Sequence, residues 1–470
     1  MVFSSPVFLC IFLPVVMIAH AVLPGNTAKN ALLVVASLLF YAYGEPVYVL
    51  LMLVSAIINY FAALLLARRR SRGILALAIM ANIGLLVFFK YSGFFVETFN
   101  GLFRQSVPVP QIALPVGISF FTFQALSYVI DVYRGDAEVQ RNFFKVLLYI
   151  SLFPQLIAGP IVRYPQIASA IDDRQVTLRD SAFGLRRFLL GLAKKVLIAN
   201  TMGEAADVIF NAGAANIDGL AAWVGAIAYL MQIYYDFSGY SDMAIGLGQM
   251  LGFTFPENFL HPYASRSIQE FWRRWHRSLS TWFKDYVYIP LGGNRKGRVR
   301  TVINRIIVFL LTGLWHGAAW TFVVWGVFHG FLLLLEEFVP AIKKLPAALG
   351  HLYTMLMVTV GFVIFRADTI TEAFAFIGRM FGGFGAVTAS SIAFQVLSPW
   401  FVCMLIAAIV FCAPVASLTD RIAALKDKRT LTRNEKIIQV LCFVAAAILL
   451  VVCLLRLSSG AYNPFIYFRF

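Results

Sequence analysis

The sequence predicts an all-α polytopic membrane protein, and three observations carry that prediction. Of its 470 residues, 60% are hydrophobic and 13% charged, where a soluble domain carries roughly 25% charge. So little charge cannot cover a water-soluble chain of this length, which makes lipid the main solvent. Apolar runs of spanning or near-spanning length recur from end to end. No segment alternates with the period of two that a transmembrane β-barrel requires. In lipid every main-chain polar group must be satisfied internally, so helices are what remain. Disordered, coiled-coil and disulfide-rich classes are excluded. The chain shows no soluble-domain composition, internal repeat or low-complexity tract, and is read as one transmembrane domain, 1–470.

The apolar runs lie near 5–24, 30–43, 47–67, 74–90, 143–161, 183–200, 219–235, 303–335, 352–366, 394–415 and 437–457. They predict about eleven transmembrane helices, with re-entrant or interfacial pieces among them. The first run has no Lys or Arg before it, and the first basic residue is Lys29. A signal peptide has the opposite flank, so this run is a retained helix with its N-terminus outward. Three spans then place Arg68, Arg69 and Arg70 inside, as the positive-inside rule expects. Pro108, Pro110 and Pro115 break any helix before 116–130, which suits a half-inserted element. The run 143–161 is interrupted by Phe153-Pro154-Gln155 and Ala158-Gly159-Pro160, followed by Arg163. Such breaks suit irregular backbone lining a cavity.

The run 219–235 leads into Tyr234-Tyr235-Asp236-Phe237-Ser238-Gly239-Tyr240-Ser241-Asp242. Asp236 and Asp242 could orient a histidine, bind a cation or pair with buried bases, the last being the plainer use. The longest polar stretch, 260–305, is aromatic and basic together and belongs at the membrane interface. Read as one helix, it places Phe271, Trp275, Leu279, Trp282 and Tyr286 on one face. Arg273, Arg277 and Lys284 fall opposite, and His276 lies between at a water–apolar boundary. The plain reading is a structural interface helix with an incidental histidine. In 303–335, His316 stands in Leu314-Trp315-His316-Gly317, where an ionisable group is a functional candidate. Gly313 and Gly317, like Gly326 and Gly330, are spaced for close helix packing. His329 reads as a packed core histidine.

The chain carries 39 Lys and Arg against 23 Asp and Glu, a formal charge of +16. The bases cluster between apolar runs, for example Arg186-Arg187, Lys194-Lys195, Arg295 to Arg300, Lys343-Lys344 and Lys426 to Arg429. That pattern indicates membrane orientation and attraction to anionic lipid, with no nucleic-acid module. Cys10, Cys403, Cys412, Cys442 and Cys453 lie in apolar runs without metal-ligand spacing. There is no GxSxG elbow, Walker loop, GxGxxG turn, His-x4-Asp pair or DHHC run.

Phe271-Trp272-Arg273-Arg274-Trp275-His276-Arg277-Ser278, continuing to Tyr288-Ile289-Pro290-Leu291-Gly292-Gly293-Asn294, resembles the membrane-bound O-acyltransferase family. Leu314-Trp315-His316-Gly317 with Trp320 resembles the segment that holds that family's catalytic histidine. The 40-residue spacing from His276 to His316 fits as well. Asp236 to Asp242, Phe123 to Tyr128, Ala158-Gly159-Pro160-Ile161 and the ending from Asn463 to Phe470 are similar to the branch that O-acetylates exported polysaccharides. That branch acts on alginate, cellulose or peptidoglycan, and the motifs do not separate them. Alginate is the first expectation, and the Tyr288 to Asn294 run argues against D-alanyl transfer.

The resemblance implies helices around a central funnel or tunnel in a bacterial inner membrane. It implies His316 as the catalytic histidine and His276 as its companion. Acetyl-CoA would be the cytoplasmic donor, with no bound cofactor and no metal. A periplasmic SGNH-type acetyltransferase would be the partner that completes transfer to the polymer. Thioester transfer to a hydroxyl needs a base and charge stabilisation. His316 could serve as that base or as a nucleophile passing through an acyl-imidazole. Arg273, Arg277 and Lys284, with Arg295 and Lys296, are candidates for a cationic mouth that receives CoA phosphates. Trp315 and Trp320 are candidates for lining the acyl path, packing being their plainer use. A transporter or flippase without covalent chemistry, or a scaffold for the partner, are the competing classes.

Overall fold

The computed structural model describes residues 1–386, 391–412, 432–460 and 462–466, and all regular structure among them is helical. The basic cluster Lys426 to Arg429 and the ending Tyr467 to Phe470 lie outside the described residues. Two compact units account for the chain. One comprises Met1–Phe188 with Ser241–Pro256, the other Leu189–Tyr240 with Glu257–Phe470.

The first unit opens with a wide π-turn at Phe8–Phe12, followed by α1 (Leu13–Val22), α2 (Gly25–Ala42), α3 (Tyr48–Arg68) and α4 (Arg72–Phe103). Phe3, Phe8, Phe12, Phe40 and Phe153 pack ring against ring at its centre. Asn59 of α3 and Asn82 of α4 exchange two amide hydrogen bonds of 2.9 Å, which satisfies both polar side chains inside apolar surroundings. Residues 104–117 form no helix, as the three prolines there require. The unit continues with α5 (Ile118–Arg134), α6 (Phe143–Ser151), α7 (Phe153–Leu156) and α8 (Tyr164–Asp172). The expected span at 143–161 is thus two short helices and irregular backbone. Gly159 turns so tightly that a Cβ there would sit 2.5 Å from Gln155 Cα.

The first two unit boundaries fall within α9 (Leu178–Ala193) and α11 (Gly219–Met250), and the third follows α11 at Pro256. In the second unit a π-turn, Lys194–Ala199, leads into α10 (Asn200–Asn211). Then come α12 (Ile268–Arg274), α13 (Arg277–Phe283), α14 (Arg298–His316), α15 (Trp320–Phe338), α16 (Pro340–Lys343) and α17 (Ala347–Arg366). The rest is α18 (Ile370–Gly382), α19 (Ile392–Val396), α20 (Pro399–Cys412) and α21 (Arg433–Ser458). All five cysteines are free.

Six of the described helices are long and apolar enough to cross a membrane: α3, α4, α14, α15, α17 and α21. Phe8–Val22 and α20 are shorter apolar helices. Together they make a multi-pass membrane protein. The set is smaller than the eleven apolar runs because an apolar run can also be a core helix. In α6, within the run 143–161, Val146 through Ser151 is continuously buried in protein.

Two expectations for the second unit are corrected. The run 303–335 is two helices, because Gly317 to Ala319 are extended or turned and end α14 at His316. The stretch 271–286 is two short helices and a π-turn, because Trp275 is extended and His276 left-handed. The packing reading of the glycines holds. A Cβ on Gly313 would lie 2.2 Å from Phe322 O, and one on Gly326 would lie 2.4 Å from Phe309 O. Their absence lets α14 and α15 cross backbone to backbone.

Candidate active site

The site is assembled within the second unit, starting from α12. Ser267 Oγ caps this helix by accepting from Glu270 N at 3.0 Å. The Glu336 carboxylate of α15 accepts from Ile268 N at 2.5 Å and Gln269 N at 3.0 Å, so two further helix-end donors are satisfied from another helix. The helix ends at Trp275, and His276 adopts φ 42°, ψ 55°. This left-handed conformation costs a non-glycine residue about 1–3 kcal/mol and persists only when its surroundings fix it.

Asn258 supplies that fixing. Its main-chain oxygen accepts from Arg277 N at 2.9 Å. Its side-chain oxygen accepts from Ser278 N at 3.3 Å and Ser278 Oγ at 2.9 Å, and lies 3.1 Å from His276 Nδ1. An amide oxygen only accepts, so Nδ1 carries the proton and Nε2 keeps the lone pair. His276 is fully buried rather than set at a water boundary, with 0% of its surface exposed. Its ring meets Phe237 edge-on at 4.7 Å and Trp315 at 5.7 Å. Burial pushes its pKa down to about 3, so the ring is neutral at physiological pH. The aromatic face expected of a single helix survives as burial, since Phe271, Trp275, Leu279, Trp282 and Tyr286 are all buried in protein.

His316 is the last residue of α14. Its ring is bounded edge-on by Trp315 at 5.0 Å, Trp325 at 5.1 Å and Phe365 at 5.2 Å. Gly317 allows this closure, since a Cβ there would lie 2.0 Å from the Phe322 ring. Beside His316 is a cavity of about 10 Å³, also walled by Ile233, Phe237, Trp275, Phe362 and Ile466. That is about the space of one water-sized group. Trp315 touches both histidine rings and so links His276 to His316.

A larger cavity of about 360 Å³ lies between α12, α13, α14 and α15. Arg273 and Lys284 line it together with Trp272, Arg305, Glu336 and Lys343. Trp272 Nε1 donates to His329 Nδ1 at 3.4 Å, which gives this histidine a packing and hydrogen-bonding role. Trp325 contacts Trp272 at 5.7 Å, His329 at 4.9 Å and His316 at 5.1 Å. A continuous chain of rings therefore runs from the charged cavity to His316.

The other expected site residues are placed elsewhere. Arg277 does not line the larger cavity, and Arg295 and Lys296 are exposed in the loop before α14. Trp320 is 51% exposed at the start of α15 and is not part of the His316 wall, because the chain turns at 317–319 and carries its ring away. Asp236 forms a buried 2.9 Å ion pair with Lys195 and accepts from Ile466 N, contacts that tie the chain together. Asp242, in the first unit, pairs with Arg187 at 2.9 Å. Sequence reasoning missed Asn258, Glu336, Trp325, Phe365 and Ile466 as site residues. The only signal was that Ile466 belongs to a singled-out motif. The others carry no periodic or spacing mark.

The membrane-bound O-acyltransferase family model matches residues 137–370. The chain is 39% identical over 503 aligned residues to a probable alginate O-acetylase of Azotobacter vinelandii, with all of both chains covered. It is 37% identical to a peptidoglycan O-acetyltransferase of Helicobacter pylori, covering 81% of this chain and 80% of that one. A teichoic acid D-alanyltransferase of Bacillus subtilis is 28% identical over 53% of this chain and 67% of its own.

Proposed function

The chain belongs to the membrane-bound O-acyltransferase family and is an O-acyltransferase, and from that premise we propose that it moves acetyl groups from acetyl-CoA to an exported polysaccharide, alginate first. The enclosure of His316 by Trp315, Trp325 and Phe365 beside a very small cavity carries the chemical reading. Water is scarce there, and electrostatic effects on a reacting group are strong. His316 takes the proton from the acceptor hydroxyl as its oxygen attacks the thioester carbonyl. The C–O bond forms, the C–S bond breaks, and the proton leaves with the CoA thiol. His276, neutral and held by Asn258, positions Trp315 and offers Nε2 as an acceptor.

Arg273 and Lys284 receive the CoA phosphates at the larger cavity, a use supported by their shared lining of it. The donor approaches from the cytoplasm, and the acetyl group is delivered outside a bacterial inner membrane. An SGNH-type periplasmic partner completes transfer to the polymer. The alginate acceptor is supported by the end-to-end similarity to alginate O-acetylases. Peptidoglycan is the second reading, supported by the similarity to the Helicobacter pylori enzyme.

His316→Ala tests the base. Labelled acetyl transfer to polymer should fall by about 10²–10⁴-fold, the usual worth of a general base, in membranes holding wild-type amounts of protein. Undiminished transfer would remove His316 from the chemistry. Acetyl on alginate against acetyl on peptidoglycan in the same membranes separates the two acceptors.

A further inference from the structure

The segment 462–466 has no regular helix of its own beyond a single terminal residue, yet it is fixed at every position by a different group. Tyr462 donates its hydroxyl to Asp207, which also pairs with Arg366 at 2.6 Å. The Asn463 side-chain oxygen accepts from Asn200 at 3.1 Å. The Pro464 carbonyl accepts from Lys195. Phe465 stacks on Tyr240 at 4.8 Å. Ile466 N donates at 2.8 Å to Asp236, whose other oxygen lies 2.9 Å from Lys195 Nζ. The Lys195 and Asp236 side chains are 4% and 1% exposed. Removing two charges from water is expensive, and an apolar pair would hold a chain as well. Here the pair has a directional use: each partner spends a remaining hydrogen bond on the main chain of this segment.

The segment delivers one side chain to the candidate site. Ile466 is buried and stands in the wall of the His316 cavity together with a set of aromatic rings. Of that wall, Trp275, Trp325, Phe362 and Phe365 come from regular helices or their immediate ends and are packed against one another. Ile466 alone comes from an extended segment, so its size can change without moving a helix. With about 10 Å³ remaining, every added methylene on an acyl group must displace a wall atom.

We propose that 462–466 is a latched strap and that Ile466 is the residue that limits the transferred acyl group to acetyl. The proposal rests on the reading that the acyl group reacts at His316. An acetyl group presents only a methyl to this wall. A propionyl or butyryl chain would press on the Ile466 side chain, which the latch holds from behind.

The test compares labelled acetyl and propionyl transfer from their CoA thioesters to the polymer fraction of membranes, as a ratio within each variant. Ile466→Ala should raise the propionyl-to-acetyl ratio at least tenfold, within the range one methylene commands in an apolar pocket. Ile466→Val, the smaller change, should raise it in the same direction and is read alone where the alanine variant does not insert. An unchanged ratio in an inserted Ile466→Ala protein, or in Ile466→Val where only that variant inserts, overturns the proposal. His316→Ala is run alongside. If it is inactive while the Ile466 ratio is unmoved, the strap inference fails and the base reading stands. If it keeps wild-type acetyl transfer, the base reading fails, and a ratio that still moves supports the strap as the acyl gate.

Discussion

His276 and His316 were both visible in the sequence as histidines in aromatic surroundings, but only the structure separates their environments. His276 occupies a strained left-handed position fixed by Asn258, with the proton on Nδ1. His316 ends a helix inside a ring of aromatic edges. The strain and the Asn258 contacts were not legible, because a left-handed turn in the middle of an apparently helical pattern leaves no periodic trace. Burial of His276 predicts a pH signature. The unfolded chain binds its proton below roughly pH 6.5, whereas the folded protein refuses it until about 3. Stability from this group is complete above pH 6.5 and is lost as pH falls toward 3, at up to about 1.4 kcal/mol per pH unit. Thermal melts in detergent at pH 7 and pH 5 check this. His276→Asn should lose less stability between the two pH values than the wild type, and an equal loss would contradict the assignment. His276 should also contribute no limb to the activity profile between pH 5 and 8.

At the scale of elements, the crossing of α14 and α15 determines where His316 sits. The glycine spacing was legible as a packing signal, and the structure gives it a pair of contacts, Gly313 under Phe322 O and Gly326 under Phe309 O. What the sequence hid was the break between the two helices, since Gly317, Ala318 and Ala319 are as apolar as their neighbours. Gly326→Ala should destabilise the protein by about 1–3 kcal/mol, because the added methyl meets backbone rather than a movable side chain. A lowered midpoint in a detergent melt, with activity falling alongside it, is the expected result. Gly378→Ala, inside α18 where a Cβ meets nothing within 4 Å, should leave the midpoint unchanged or raise it slightly. The stretch around His276 shows the opposite case. Its aromatic residues were expected on one face of a straight interfacial helix; they are buried in protein instead, and α12, the turn at His276 and α13 bring this about with a bend.

For the whole molecule, composition was the strongest signal and the least specific. Scarce charge predicted a multi-pass membrane protein, and the long apolar helices α3, α4, α14, α15, α17 and α21 agree. The run 143–161 shows why hydropathy alone does not identify a span, since Val146 through Ile150 of α6 is apolar and buried in protein. The charge of +16 was read as orientation and a landing surface. Of the bases proposed for the second use, Arg273 and Lys284 share a cavity with Arg305 and Lys343. Arg273→Ala should raise the KM for acetyl-CoA more than it lowers kcat, and added salt should narrow the difference from wild type by screening the remaining charges. A fall in kcat at unchanged KM would make Arg273 a structural residue.

Acyl transfer differs from transport in consuming its donor, so the most direct measurement is stoichiometry. Purified membranes containing the chain are given acetyl-CoA labelled in the acetyl group, and ester on polymer and free CoA thiol are counted together. The account predicts one thiol released for each ester formed, with both signals lost in His316→Ala. Wild-type formation of ester and thiol in His316→Ala, or ester formed with no thiol released, would contradict it.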